Sequence, residues 1–179
     1  TARSRGLGDV YKRQVFMLSK KSKDIFQDYM PNNICFGCGN NTKDGLHIKS
    51  YWQSEMAECI WTPKTIHQGW RGIMNGGIIA TVIDCHAMGT SMAYAYKHEN
   101  RSLGSLPEYK YATGTMKIKY LKPTPNDTIK LKAKILSYSE KKVHILCEVI
   151  SKGNVTAIGE VVSFRVYDSS KKESNLFQV

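Results

Sequence analysis

The chain has 179 residues, of which 41% are hydrophobic and 23% charged, and its net charge is +11. The two fractions are ordinary for one globular domain with a buried core, while the charge is basic. No apolar run approaches the ~20 residues of a membrane span, the start lacks a secretory signal's apolar stretch, and no arginine-rich stripe with interleaved aromatics marks a nucleic-acid binder. A cytoplasmic protein with no nucleic acid and no membrane as partner is therefore expected.

Residues 4–14 read Ser-Arg-Gly-Leu-Gly-Asp-Val-Tyr-Lys-Arg-Gln, which matches an in-frame translation of a transposon-based sequencing adapter. Residues 1–14 are accordingly read as non-native and kept out of the fold, with Met17 the expected initiator. Removing their four basic residues and one acidic residue leaves a net charge of +8. That balance suits an anionic partner. A lysine-rich solvated surface, as at Lys20, Lys21, Lys23, Lys171 and Lys172, accounts for it equally well.

Residues 15–34 form an N-terminal segment in which 20–30 suggest a short helix, with Ile25, Phe26 and Tyr29 on one side and Pro31 ending it. Residues 32–44, rich in Asn and Gly, read as loop. Two strands follow, 46–52 and 56–61, closed by Pro63. Residues 64–74 read as a loop carrying Gly69 and Gly72. The period then changes. Ile78, Ile79, Val82, Ile83, Ala87, Met88, Met92, Ala93 and Tyr96 recur at steps of three and four, predicting one long, mostly buried helix over about 76–97. A polar loop at 98–107 leads to four strands, 111–121, 128–138, 143–150 and 155–167, spaced closely enough for antiparallel pairing. The main domain spans 35–168, and 169–179 is a polar tail expected to be disordered. The order predicts an α+β fold: one long central helix wrapped by a six-stranded antiparallel sheet.

Five cysteines, an odd number without a secretory signal, argue for reduced thiols. Cys35-Phe36-Gly37-Cys38 is a CxxC, but zinc wants about four ligands. No second CxxC or HxxxH is present, and His47 is the one nearby histidine. The pair is read as a structural turn, and neither metal nor cofactor is expected.

Four signatures carry a family resemblance. They are Cys35-Phe36-Gly37-Cys38-Gly39 with Gly45-Leu46; His67-Gln68-Gly69 with Gly72; Asn75-Gly76-Gly77-Ile78-Ile79-Ala80-Thr81-Val82-Ile83-Asp84; and Thr113 followed by Tyr120-Leu121-Lys122-Pro123-Thr124-Pro125. In order and spacing, residues 35–168 resemble the hotdog-fold thioesterase superfamily, in its PaaI-like acyl-CoA thioesterase branch. The family usually has His-Gly-Gly where this chain has Asn75-Gly76-Gly77. The resemblance implies an acyl-CoA substrate, a homodimer or homotetramer with sites at the subunit interface, and a catalytic Asp84.

Thioester hydrolysis needs a stabiliser for the developing oxyanion and a group that attacks or activates water. Gly76 and Gly77 open the helix, where backbone N–H groups lack intrahelical partners and the dipole favours negative charge. They are candidates for an oxyanion hole, with Asn75 as an additional donor. A tight turn with close helix–sheet packing explains the same glycines. Asp84 is an acid in an apolar helix, where a bare carboxylate is costly. It is the candidate base or nucleophile, unless a backbone amide or basic group simply pairs it. Gly77 and Asp84 are seven residues apart, roughly 10 Å along a helix. One carbonyl does not reach both in one chain, so two antiparallel helices of a dimer are expected to share each site.

Thr113 is a candidate for orienting the carboxylate or its water. His67, Arg71 and Lys122 are candidates for substrate binding, with Arg101, Lys117 and Lys119 as further cations for the CoA phosphates. His86 lies about 200° round the helix from Asp84 and is read as packing. Cys85 beside Asp84 lacks a placed base for a nucleophile. Two alternatives stay open: a hotdog hydratase or dehydratase, and a non-catalytic acyl-CoA or lipid-binding module.

Overall fold

The computed structural model describes residues 24–171, so the adapter-like start and residues 172–179 of the polar tail lie outside the described residues. The tail's first residue is ordered rather than loose, with Ser169 N–H donating to Glu108 O at 3.0 Å. Among these, eight strands and one long helix follow a 3-10 turn, Phe26–Tyr29. The turn stands where the short helix was expected. Its Gln27 points inward rather than lying on a solvent face: the side-chain amide donates to Ser50 Oγ at 3.0 Å and accepts from Ser50 N–H at 2.7 Å. Tertiary bonding, not helical repetition, holds this segment.

Strand β1 is Ser50–Gln53 and β2 is Met56–Trp61. The first begins four residues later than the alternation of 46–52 predicts. His47 sits at φ +52°, which breaks the extended run. Residues 46–48 pair instead with the CxxC loop, Leu46 N–H donating to Phe36 O and Ile48 N–H to Gly37 O. The expected loop at 64–74 holds a 3-10 turn, Thr65–His67, and a two-stranded ribbon, β3 Gln68–Trp70 and β4 Ile73–Met74. Gly72 takes φ +75° at the turn of the ribbon.

Helix α1, Gly76–His98, carries Ile79, Val82, Ile83, Ala87, Met92, Ala93 and Tyr96 into the core. Strands β5 Tyr109–Tyr120, β6 Ile129–Tyr138, β7 Lys142–Ser151 and β8 Asn154–Asp168 complete the sheet. Its order is β1-β2-β6-β7-β8-β5, and every neighbour pair is antiparallel. The α+β expectation of one helix against six antiparallel strands is met.

The helix lies close to the sheet because a small residue faces it. A Cβ on Gly159 of β8 would come within 2.5 Å of Ile83 Cγ2. The core joins Val82 and Ile83 of the helix to Leu131 of β6 and to Ile145, Cys147 and Val149 of β7. Among the described residues, no helix is long and apolar enough to cross a membrane.

Candidate active site

The start of α1 is built by three segments. Asn75 is the N-cap, and its Oδ1 accepts from Gly77 N–H at 2.7 Å and from Ile78 N–H at 3.3 Å. The Gly77 N–H, which lacks an intrahelical partner as expected, is instead taken up by the Asn75 side chain, because Asn at this position caps the helix itself. Asn75 N–H donates to His67 O at 2.9 Å, which ties the preceding loop to the helix. Met74 N–H donates to Thr124 O and Asn126 N–H to Gly72 O, so the Thr124-Pro125 segment braces the ribbon from the other side. Tyr120 Oη donates to Gly76 O at 2.8 Å. The second, third and fourth signatures of the sequence thus meet at one helix terminus.

His67 stacks on Trp61 with ring centroids 5.3 Å apart. Its Nδ1 accepts from Lys64 N–H at 2.9 Å, so the neutral ring carries its proton on Nε2. Burial, then the nearby Lys64 charge, lower its pKa and favour that neutral form.

Asp84 lies two turns along α1, half-buried. Thr113 Oγ1 donates a hydrogen bond to Asp84 Oδ1. Desolvation raises the Asp84 pKa above the ordinary carboxylate value, the Thr113 bond opposes this, and the neighbouring Cys35 adds to the rise. A β-bulge places the threonine: the β5–β8 register shifts between Thr113 and Thr115. Gly114 sits in that bulge, where a Cβ would meet the Phe164 ring at 2.2 Å.

Of the other predicted residues, Arg71 is exposed at the ribbon turn, and Lys122 follows β5 with its Nζ 3.4 Å from Asn154 Oδ1. Lys117 and Lys119 are exposed on β5. Arg101 does not belong with them. It follows the far end of α1, roughly 35 Å from the helix start for 23 residues. There it is bound to Glu99, Ser105 and Pro107. His86 is fully buried, with Nδ1 2.8 Å from Ser50 Oγ, and burial lowers its pKa to about 4. It faces away from Asp84, as its place round the helix predicts.

A cluster that the sequence spacing does not reveal lies beside Asp84. The Sγ atoms of Cys35, Cys38 and Cys85 all fall within 4.8 Å of one another. Hydrogen bonds from Cys38 and then Cys85 hold the Cys35 thiol far below its ordinary range, and contacts with Cys35 and then Cys38 push the Cys85 thiol far above it. Its thiol neighbours and then burial favour the neutral form of Cys85, which argues against a nucleophile there.

No protein-family model matches the chain, and no curated protein sequence does. Among solved structures it is similar to a thioesterase superfamily protein from Shewanella loihica, at 30% identity over 65% of this chain and 88% of that one, with a TM-score of 0.54. The PaaI protein of the E. coli phenylacetic acid degradation operon shares the fold at 13% identity, covering 69% of this chain and 82% of its own, with a TM-score of 0.55. A Streptococcus mutans protein solved with acetyl-CoA bound does so at 13% identity, covering 68% and 90%, with a TM-score of 0.54. With that identity across most of the Shewanella protein, and with one long helix against six antiparallel strands, the chain belongs to the thioesterase superfamily and has the hotdog fold.

Proposed function

We propose that the protein hydrolyses an acyl-CoA thioester to a free acid and CoA, as a PaaI-like member of its superfamily. The observation that carries this is the Thr113–Asp84 hydrogen bond on a half-buried helix turn. It holds one carboxylate oxygen and leaves the other for water or for the thioester carbon. Asp84 acts as base or nucleophile. The oxyanion site is the α1 terminus, from the Gly76 and Gly77 N–H groups and the Asn75 side chain. Because Asn75 Oδ1 holds the Gly77 N–H, a substrate carbonyl either takes that bond over or uses the remaining donors at the terminus. His67, with Nε2–H as donor, positions the thioester, and Arg71 and Lys122 draw the CoA phosphates.

Each site is shared between two copies of the chain. The spacing of Gly77 and Asp84 along α1 is one support. A second is β5, a 12-residue strand at the sheet edge that, among the described residues, pairs in the sheet with β8 alone. A third is the exposed apolar set of Ile66, Trp70, Met116, Tyr120 and Leu121, with Trp70 82% exposed. Large exposed apolar side chains on β3, β5 and the turns beside them suit a contact with a second copy. The acetyl-CoA bound to the Streptococcus mutans protein supports the substrate class.

The test is a thiol-release assay over a panel of acyl-CoAs of different chain length and aromatic character. Release of CoA with formation of free acid is the expected result. Turnover of a 3-hydroxyacyl or enoyl substrate without thiol release would establish a hydratase instead. Binding without any turnover would establish a non-catalytic module.

A further inference from the structure

The thioesterase chemistry leaves the three-cysteine cluster unused. We propose that Cys35, Cys38 and Cys85 form a metal site, taking a thiophilic closed-shell cation such as Zn2+ through three thiolates, with solvent as the fourth ligand.

The spacing fits such an ion. Cys35 Sγ and Cys85 Sγ are 3.8 Å apart, and all three sulfurs lie within 4.8 Å of one another. A tetrahedral site with Zn–S bonds of about 2.3 Å has sulfurs about 3.8 Å apart. A disulfide needs about 2.05 Å. Three soft sulfur ligands with no carboxylate or carbonyl among the protein ligands select zinc or monovalent copper over magnesium or calcium.

The loop is shaped around the sulfurs. Asn33 Oδ1 accepts from Cys35 N–H at 2.9 Å, while its Nδ2 donates to Cys38 Sγ at 3.3 Å. Gly39 N–H donates to Cys35 O at 2.7 Å and closes the CxxC turn. A donor aimed at a ligand sulfur is the support a bound thiolate uses. Sterics lead to the same place. A Cβ on Gly37 would lie 2.1 Å from Cys85 Sγ, and one on Gly39 would lie 2.6 Å from Asn33 O. Both glycines let the turn settle onto α1 with its sulfurs facing Cys85.

Cys38 is the apolar anchor of this turn in the core, while the flanking Ile34 and Phe36 are 82% and 52% exposed. A bound ion supplies the missing cross-link. It staples residues 35–38 to the helix turn that carries Asp84, adjacent in sequence to Cys85. Cys35 is the exposed member, which gives the ion a way in and a place for the solvent ligand.

The experiment titrates the reduced, metal-stripped full-length chain with Co2+ under anaerobic conditions. About one equivalent should bind, with thiolate-to-cobalt charge-transfer absorption and intense tetrahedral d–d bands that Zn2+ abolishes. Zn2+ should raise the unfolding temperature. Cys35→Ser and Cys38→Ser should lose the charge-transfer signal, whereas Cys147→Ala, away from the cluster, should keep it. Alkylation mapped by mass spectrometry gives a reading on the unmutated chain should a variant misfold: Zn2+ should protect Cys35, Cys38 and Cys85. No charge-transfer band, no protection of these thiols, or a disulfide among them in the chain as isolated would each overturn the proposal. None of these measurements depends on acyl-CoA turnover.

Discussion

Asp84→Asn keeps the size and shape of the side chain and removes only its charge and basicity. The Thr113 hydroxyl still has an oxygen to donate to, so the contact that places the residue is retained. Loss of a positioned general base costs about 10²–10⁴-fold in rate. At about 1.36 kcal/mol per tenfold, that is roughly 3–5 kcal/mol of transition-state stabilisation. Stability should move the other way. Burial raises the Asp84 pKa in the folded chain above its unfolded value. The ionised carboxylate therefore costs stability, and the cost grows as pH rises from the ordinary carboxylate value through the raised one. The asparagine variant escapes this cost at neutral pH and should unfold at the same or a higher temperature. Thiol release under saturating acyl-CoA, ligand binding and thermal unfolding form the assay. A folded variant that binds acyl-CoA and releases thiol within about threefold of the parent rate would refute the assignment of Asp84.

Thr113→Val removes the one hydrogen bond that opposes the rise in the Asp84 pKa, so the acid limb of kcat/KM should move to higher pH, checked by a pH–rate profile. A limb that stays put means that a different group titrates. Co-expressing Asp84→Asn with a Gly77→Val chain should restore about a quarter of parental activity, because half the dimers are mixed and each has one intact site. Activity no higher than the mean of the two variants expressed separately, or an active monomer by light scattering, contradicts the shared site. Gly159→Ala places a Cβ within 2.5 Å of Ile83 and should destabilise the fold by about 1–3 kcal/mol in urea unfolding. His86 has a folded pKa lowered to about 4, so the unfolded chain binds its proton more tightly. Stability should fall as pH drops from the ordinary histidine value toward that figure, and His86→Gln should flatten this slope in denaturant midpoints.

The long helix was legible because its apolar residues repeat at steps of three and four. The bounds of β2 followed from alternation and Pro63, and those of β6 and β7 came within one residue from alternation alone. Asp84 stood out as an acid within an apolar stretch. Where strand bounds slipped, a local backbone event was responsible. His47 at φ +52° stops β1 from starting at Leu46, and positive φ at a histidine leaves no trace in a hydrophobic pattern.

The amino-acid sequence by itself determined the long helix, the six strands of the main sheet, their order and the chemical groups available, since each depends on neighbours a few residues away. Tertiary structure alone decided which groups meet. The bulge at Gly114 turns Thr113 onto Asp84, 29 residues distant in the chain. The cap bond places Asn75 Oδ1 on the Gly77 N–H that the helix dipole alone would leave for a substrate. Arg101 drops out because a 23-residue helix carries it away from the site. Cys85 joins a CxxC from 50 residues upstream only because Gly37 lets that turn rest on the helix. Spacing along the chain encodes the period of a helix or strand, whereas a site assembled from separate segments is set by how their surfaces pack.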